Sequence, residues 1–164
     1  MASCPVRRLD TDEEVRIAPL ERGPSIASDP YRLQTIPPWL EATGFAINNL
    51  VRLQPNWNNR GARAVDTEAA QKALELLVGA GHFETPAPDV VPTVVGGLQL
   101  EWHRCRMDIE LEISPQRVVT LYLLDRDSNR EWEGSIDGRR PSRLVEALSE
   151  LTERSLRNRR HAPR

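Results

Sequence analysis

The sequence of 164 residues contains only two cysteines, Cys4 and Cys105. Two cysteines are too few for a disulfide framework, and neither belongs to a CxxC pair or to a zinc-ligand spacing. No apolar run approaches the roughly 18 residues that a membrane-spanning helix requires. The first twelve residues also lack the apolar stretch and cleavage site of a secretory signal. We therefore expect a cytoplasmic protein in a reducing compartment, with no membrane partner.

The chain also lacks the signatures of the common catalytic sites. It contains no GxSxG motif, and no GxGxxG or GxxxxGK pattern surrounds Gly96 and Gly97. Cys105 has only His103 nearby in sequence as a base, so nucleophilic catalysis is poorly supported. We predict no catalytic residue, no bound metal and no cofactor, and the pattern favours a role other than catalysis.

The net charge of −2 is too small to indicate a nucleic-acid or membrane partner. Its distribution is uneven, because the residues after Glu153 include five arginines and no acid, which leaves the rest of the chain more acidic. The arginine-rich end lacks the interleaved aromatic residues of nucleic-acid-binding segments. The sequence therefore argues against a nucleic acid as partner.

The most regular pattern lies in residues 98–113, where apolar and polar residues alternate. A period of two is typical of strands with one buried face. A tight turn at residues 105–106 would keep both halves in phase, and a slip of one residue would bury the carboxylates. The predicted pairs are Trp102 with Ile109, Glu101 with Glu110, and His103 with Asp108.

The remaining elements follow from helical spacing and turn residues. Helices are predicted after Pro37-Pro38, after the N-cap Asp66 and after Ser142, and residues 84–97 are predicted as an extended, proline-rich crossing. We predict an α+β fold of two layers, a four-stranded antiparallel meander packed on one face by helices in the order ααββββα. The expected organisation is a flexible N-terminal arm at 1–35, a single domain at 36–157 and a basic C-terminal tail at 158–164.

The outward side of the predicted sheet is the main candidate site. It has three interpretations, the first being a solvated face over which Arg104, Arg106, Arg117 or Arg130 reaches. The second is a surface that docks a basic protein. The third is a metal-dependent hydrolase built on Glu101, His103, Asp108 and Glu110, since imidazole and carboxylates suit a divalent metal. The outward residues are Glu101, His103, Asp108, Glu110, Glu112, Glu131 and Glu133.

The second interpretation yields a functional prediction, a non-catalytic protein-binding module of the antitoxin, immunity-protein or adaptor kind, by analogy alone. Trp57, in a polar loop, is either an anchor for that partner or a lid packed on the core whose indole N–H bonds to a carbonyl. The predicted partner-binding residues are Glu101, Glu110, Glu112, Glu131, Glu133 and Trp57.

The order of Asn56-Trp57, Gly61-Ala62, the stretch 96–102 and the stretch 109–113 resembles a family of small uncharacterised bacterial proteins. That family carries an NW-x-x-x-GA loop followed by a GG-x-Q-LEW…LEIEI hairpin, and the resemblance covers roughly residues 53–136. This chain departs from it at residues 58–60, where the family tends to have Asp, Gly and an aromatic residue. The resemblance implies the fold outline and a bacterial origin, and it implies no activity.

Overall fold

A computed structural model describes residues 36–139 and 141–161, so the expected arm at 1–35 lies outside the described residues. The described residues form an α+β fold with one antiparallel sheet, in the order ααβββββα. The helices are α1 (Pro38–Val51), α2 (Thr67–Ala80) and α3 (Ser142–His161). The strands are β1 (Asp89–Pro92), β2 (Leu98–Arg104), β3 (Met107–Ile113), β4 (Val119–Asp125) and β5 (Arg130–Ser135).

The sheet has five strands, so the predicted number of four is wrong. The additional strand is β1, which lies within the segment predicted as an unpaired crossing and pairs antiparallel with β2. The prolines that suggested an unpaired crossing are compatible with an edge strand, because an edge strand leaves half of its N–H groups without a ladder partner. Pro92 ends β1 directly opposite Leu98.

The predicted hairpin between β2 and β3 is confirmed, with Trp102 opposite Ile109, Glu101 opposite Glu110 and His103 opposite Asp108. The loop consists of Cys105 and Arg106, whose φ angles are 53° and 58°. Two consecutive residues with positive φ form the type I′ turn, whose twist matches that of the flanking strands.

The core lies between the helices and the inner face of the sheet. Asp66 caps α2 as predicted, since its Oδ1 accepts hydrogen bonds from the backbone N–H groups of Glu68 and Ala69, both at 2.9 Å. The helix α3 runs to His161, so the first residues of the expected tail are helical. The fully buried aliphatic and aromatic side chains include Leu98, Leu100, Trp102, Ile109, Leu111, Ile113 and Leu121 from the sheet and Leu144, Leu148 and Leu151 from α3.

The turn between β1 and β2 requires both of its glycines. Gly96 has a φ of +91°, a conformation that side chains rarely allow. A Cβ atom on Gly97 would collide with the backbone carbonyl oxygen of Ile113. These glycines therefore let the chain reverse tightly and bring β1 alongside β2.

None of the helices in the described residues has both the length and the apolar character of a membrane-spanning segment.

Candidate functional site

The outer face is the side of the sheet that points away from the core. Directly paired residues of antiparallel strands share a face, so the register brings the predicted acidic residues of β2, β3 and β5 to this side, together with Asp89 of β1. The outer face carries Asp89 and Val91 of β1, Gln99, Glu101 and His103 of β2, Asp108, Glu110 and Glu112 of β3, Thr120, Tyr122 and Leu124 of β4, and Glu131, Glu133 and Ser135 of β5.

One row of paired residues crosses all five strands of the outer face, through Asp89, Glu101, Glu110, Tyr122 and Glu133. Gln99 donates a hydrogen bond from Nε2 to Oε2 of Glu110 at 2.8 Å, which bonds the carboxylate without neutralising it. The pKa of Tyr122 is raised by desolvation and by the neighbouring carboxylate of Glu131. The row therefore places carboxylates on both sides of one tyrosine.

At one end of the outer face, His103 lies between two carboxylates. Its Nδ1 is 2.9 Å from Oδ1 of Asp108 and its Nε2 is 3.4 Å from Oε2 of Glu101. Arg126 follows β4 and donates from its guanidinium to both oxygens of Asp108, at 2.6 and 2.8 Å. Glu101, His103, Asp108 and Arg126 thus form one continuous chain of paired groups, in which Asp108 is buried.

Arg126 was not among the arginines that we expected to reach over the outer face. Arg104 and Arg130 are paired with core-side residues of the sheet. Arg106 pairs with Asp127, and Arg117 pairs with Glu68 of α2. Arg126 lies two residues after Leu124, so continued alternation would place it on the outer face. We did not expect it there because the predicted strand ends at Leu124 and Arg126 belongs to the turn that follows β4.

The neighbours of His103 raise the pKa of its imidazole above 6.5, chiefly through the hydrogen bond to Asp108 and, more weakly, through the one to Glu101. Arg126 in turn holds the pKa of Asp108 below its usual value. A raised folded-state pKa stabilises the fold below pH 6.5, and this contribution is lost as the pH rises through the pKa of His103. The His103 side chain is 42% exposed, so the contribution to the free energy of unfolding is small.

We predict that Asp108→Asn lowers the pKa of His103, because the substitution removes the carboxylate with the largest effect. Glu101→Gln should lower it less. The measurement is an NMR titration of the imidazole Cε1–H signals, with Glu153→Gln as a control on an exposed helical site. An unchanged His103 titration in Asp108→Asn would contradict the assignment of Asp108 as its main partner.

The residues proposed for a hydrolase do not form an open metal site. Both oxygens of Asp108 are bonded to Arg126 and both ring nitrogens of His103 are near carboxylates. Within residues 36–139 and 141–161, no group of three or more His, Cys, Asp or Glu side chains has a geometry that could hold a metal ion. The recess beside His103 has a volume of about 280 Å³, which is smaller than the roughly 300–1,000 Å³ of typical ligand pockets.

Trp57 is the predicted partner-binding residue that the structure does not bring to the outer face. It lies in the loop between α1 and α2, half-buried, and its indole Nε1 donates to the backbone carbonyl of Arg63 at 3.1 Å. The same loop bonds to the turn before β2, through the N–H of Arg63 and the carbonyl of Val94 at 3.0 Å. These contacts agree with the packing interpretation of Trp57.

A larger cleft, of about 560 Å³, lies on the other side of the sheet between β5 and α3. The guanidinium of Arg143 stacks over the ring of Trp132, 4.5 Å from its centroid. Sequence reasoning missed this cleft, because helical and strand periodicities predict buried stripes but not the gap between two elements. Its lining includes Leu123, Trp132, Arg143, Glu146, Ala147 and Arg154.

Comparison of the chain with protein-family models, with curated proteins and with solved structures found no match. The geometry of the outer face and of the cleft is therefore the basis for a functional assignment.

Proposed function

We propose that this protein is a non-catalytic binding module whose outer face docks a basic protein. The observation that carries the proposal is a set of carboxylates that form no ion pair with any cation among the described residues. In the part of the chain that the structure describes, no lysine or arginine pairs with Glu110, Glu112, Glu131 or Glu133. Six arginines of the described residues form ion pairs instead with other acids, namely Glu68, Glu84, Asp108, Asp125, Asp127 and Glu150.

Carboxylates that face each other across neighbouring strands destabilise a sheet by about 0.2–1 kcal/mol for each pair. Glu101 and Glu110 form such a pair, and Glu133 lies in the same row beyond Tyr122. A structural role alone does not require this arrangement. Cationic side chains of a partner would remove the repulsion on docking, which supports a binding role for the outer face.

Charge complementarity of this kind sets the rate of encounter and the choice of partner more than it sets affinity. Exposed charges are screened over about 8 Å at physiological ionic strength, so the interaction should weaken as salt is added. The analogy with antitoxins, immunity proteins and adaptors belongs to the proposal, because small acidic proteins of those classes bind basic partners. The bacterial and cytoplasmic setting is also part of the proposal.

The test compares charge reversal on the outer face with the same charge reversal elsewhere. Glu110→Lys with Glu112→Lys changes the outer face, whereas Glu41→Lys with Glu153→Lys changes two exposed helical positions by the same amount. We expect the outer-face variant to bind a soluble polylysine probe about tenfold more weakly than wild type, and the helical variant to bind it within twofold of wild type. Isothermal titration calorimetry at two salt concentrations measures both.

A partner captured from the source cells must follow the same pattern to support the proposal. It should be retained by wild type and by the helical variant, and lost by the outer-face variant and at high salt. Equal retention by the two charge-reversed variants would show that the outer face is not the docking surface. Circular dichroism of both variants verifies that they are folded.

A further inference from the structure

Among the described residues, the strand β5 forms an open edge of the sheet. The strand order is β1-β2-β3-β4-β5, so among the described residues β5 pairs with β4 alone. The opposite edge is different, because β1 has four residues, ends in Pro92 and packs against α1. Proline, a short length and charged side chains protect an edge from pairing. The strand β5 runs for six residues without a proline, and its two carboxylates, Glu131 and Glu133, repel an acidic or neutral strand more than a basic one.

The backbone of β5 offers alternate groups to this open side. Beyond the end of β5, the N–H of Ile136 donates to the carbonyl of Val119 at 2.9 Å. In an antiparallel ladder every second residue makes such bonds to its neighbour, so Trp132 and Gly134 point their backbone groups toward β4. Those of Glu131, Glu133 and Ser135 point away from β4, and no group in the described residues bonds to their N–H groups.

Two of the three residues with open backbone groups also carry a negative charge on the outer face. Glu131 and Glu133 are exposed and two positions apart. In an added antiparallel strand, the residues directly opposite them would lie on the same face with Cβ atoms about 5 Å away. Lysine or arginine at two alternate positions of the added strand would therefore meet both carboxylates.

The residue between those two positions would point to the other side of the sheet, toward Trp132 and the cleft beside α3. Trp132 is half-buried, and Arg143 covers one face of its ring. The half-buried Leu123 and the buried Ala147 also line the cleft. An aliphatic side chain of moderate size fits these apolar surfaces and leaves the stacked guanidinium in place.

A second copy of this chain does not fit the edge. Consider two β5 strands paired antiparallel in a symmetric dimer, with the outer faces of both sheets on the same side. The two registers with the largest overlap place Glu131 of one copy opposite Glu133 of the other, or each Glu133 opposite the Glu133 of the other copy. Like charges directly opposite each other destabilise a strand pair. The charges of β5 therefore select a basic extended segment over self-association.

We infer that β5 accepts an extended segment of the partner as a sixth, antiparallel strand, with the pattern basic–aliphatic–basic. This inference rests on the proposed function, and it specifies which element of the basic partner is recognised. Addition of a strand to a sheet edge provides affinity through main-chain hydrogen bonds and selectivity through alternate side chains.

The test uses the full chain and the peptide acetyl-Thr-Lys-Val-Lys-Val-Thr-amide. We expect the peptide to slow hydrogen exchange at the backbone amides of Glu131, Glu133 and Ser135, measured residue by residue by NMR. Methylation of the two lysine amide nitrogens removes the donors that face β5, and it should weaken binding about tenfold. Methylation of the valine nitrogens is the matched control, because those groups point away from β5, and it should leave binding within about twofold.

Three outcomes would overturn the inference. Equal binding of the two methylated peptides, or no binding of the parent peptide, would exclude strand addition. If hydrogen exchange at these amides becomes slower as the protein concentration rises, with no peptide present, the edge pairs with a second copy of the chain. If any of these occurs while the outer-face variant still loses polylysine, the proposed function stands and only the docking mode fails.

The charge requirement is tested separately with Glu131→Gln and Glu133→Gln together. We expect the peptide to bind about fivefold more weakly to this variant, while the control pair Glu41→Gln and Glu153→Gln binds as wild type does. An unchanged affinity in the β5 variant would contradict the selection of a basic segment.

Discussion

Replacing Trp102 by alanine is expected to lower the free energy of unfolding by about 3–5 kcal/mol, as removal of a large buried aromatic side chain generally does. Trp102 is fully buried at the centre of the core, on β2 opposite Ile109. Its indole Nε1 also donates to the backbone carbonyl of Pro86 at 2.8 Å. The substitution therefore leaves a cavity and also leaves that carbonyl without its donor.

Trp102→Phe separates these two effects. Phenylalanine retains most of the apolar volume but cannot donate to Pro86, so we expect a smaller loss of about 1–3 kcal/mol. Trp57→Phe serves as the control, because Trp57 is a half-buried loop residue. Urea unfolding followed by circular dichroism gives the free energy of unfolding of Trp102→Ala, Trp102→Phe and Trp57→Phe. A loss below about 1 kcal/mol in Trp102→Ala would contradict the role of Trp102 in the core.

Replacing Arg154 by methionine is expected to have the second largest effect. Arg154 links α3 to the end of β4, donating to the two oxygens of Asp125 at 3.0 and 3.1 Å and to Glu150 at 2.6 Å. Both Arg154 and Asp125 are 16% exposed. Removing one partner of a fully buried ion pair costs roughly 3–5 kcal/mol, and because water reaches this pair we expect a loss of about 2–3 kcal/mol.

The loss of unfolding free energy caused by Arg154→Met should depend on pH. Hydrogen bonds from Arg154 and then Ser128 hold the pKa of Asp125 well below its ordinary value of 3.8. A carboxyl group whose pKa is lower in the folded state than in the unfolded state stabilises the fold at pH values above its unfolded-state pKa. This stabilisation is lost as the pH falls toward the folded-state pKa. The difference in the free energy of unfolding between wild type and Arg154→Met should therefore be largest near pH 6 and should shrink below about pH 4.

Urea unfolding at a series of pH values between about 3 and 7 measures this difference. Asp125→Asn provides a double-mutant cycle, in which the loss from Arg154→Met should be smaller because the unpaired charge is absent. A difference that is constant across this pH range would show that Arg154 stabilises α3 by packing rather than by its charge.

The fold could be predicted largely from local patterns. Alternation over residues 98–113 correctly predicted the register of β2 and β3, because a slip of one residue would bury carboxylates. Helical spacing and capping residues correctly predicted helices after Pro37-Pro38, after Asp66 and after Ser142. The strand β1 was missed because its pairing depends on a reversal at Gly96 and Gly97, and the conformation of that turn is not encoded in strand periodicity.

The candidate site could be predicted only in part. Alternation along each strand correctly placed Glu101, Glu110 and Glu133 on the same face of the sheet, because directly paired residues of neighbouring strands share a face. The partner of Asp108 could not be predicted, because Arg126 is supplied by a turn. Arginine side chains are long, and which carboxylate each one reaches depends on the paths of the loops.

The amino-acid sequence by itself determined which side of β2, β3 and β5 is apolar and which is charged, because that choice follows from alternation along the strand alone. Only the tertiary structure decided which edge of the sheet is open, which arginine neutralises which acid, and that a cleft beside Trp132 lies under the open edge. The physical reason is range: alternation acts between neighbours in the chain, whereas edges, ion pairs and clefts depend on segments that are distant in sequence and meet only in the folded chain.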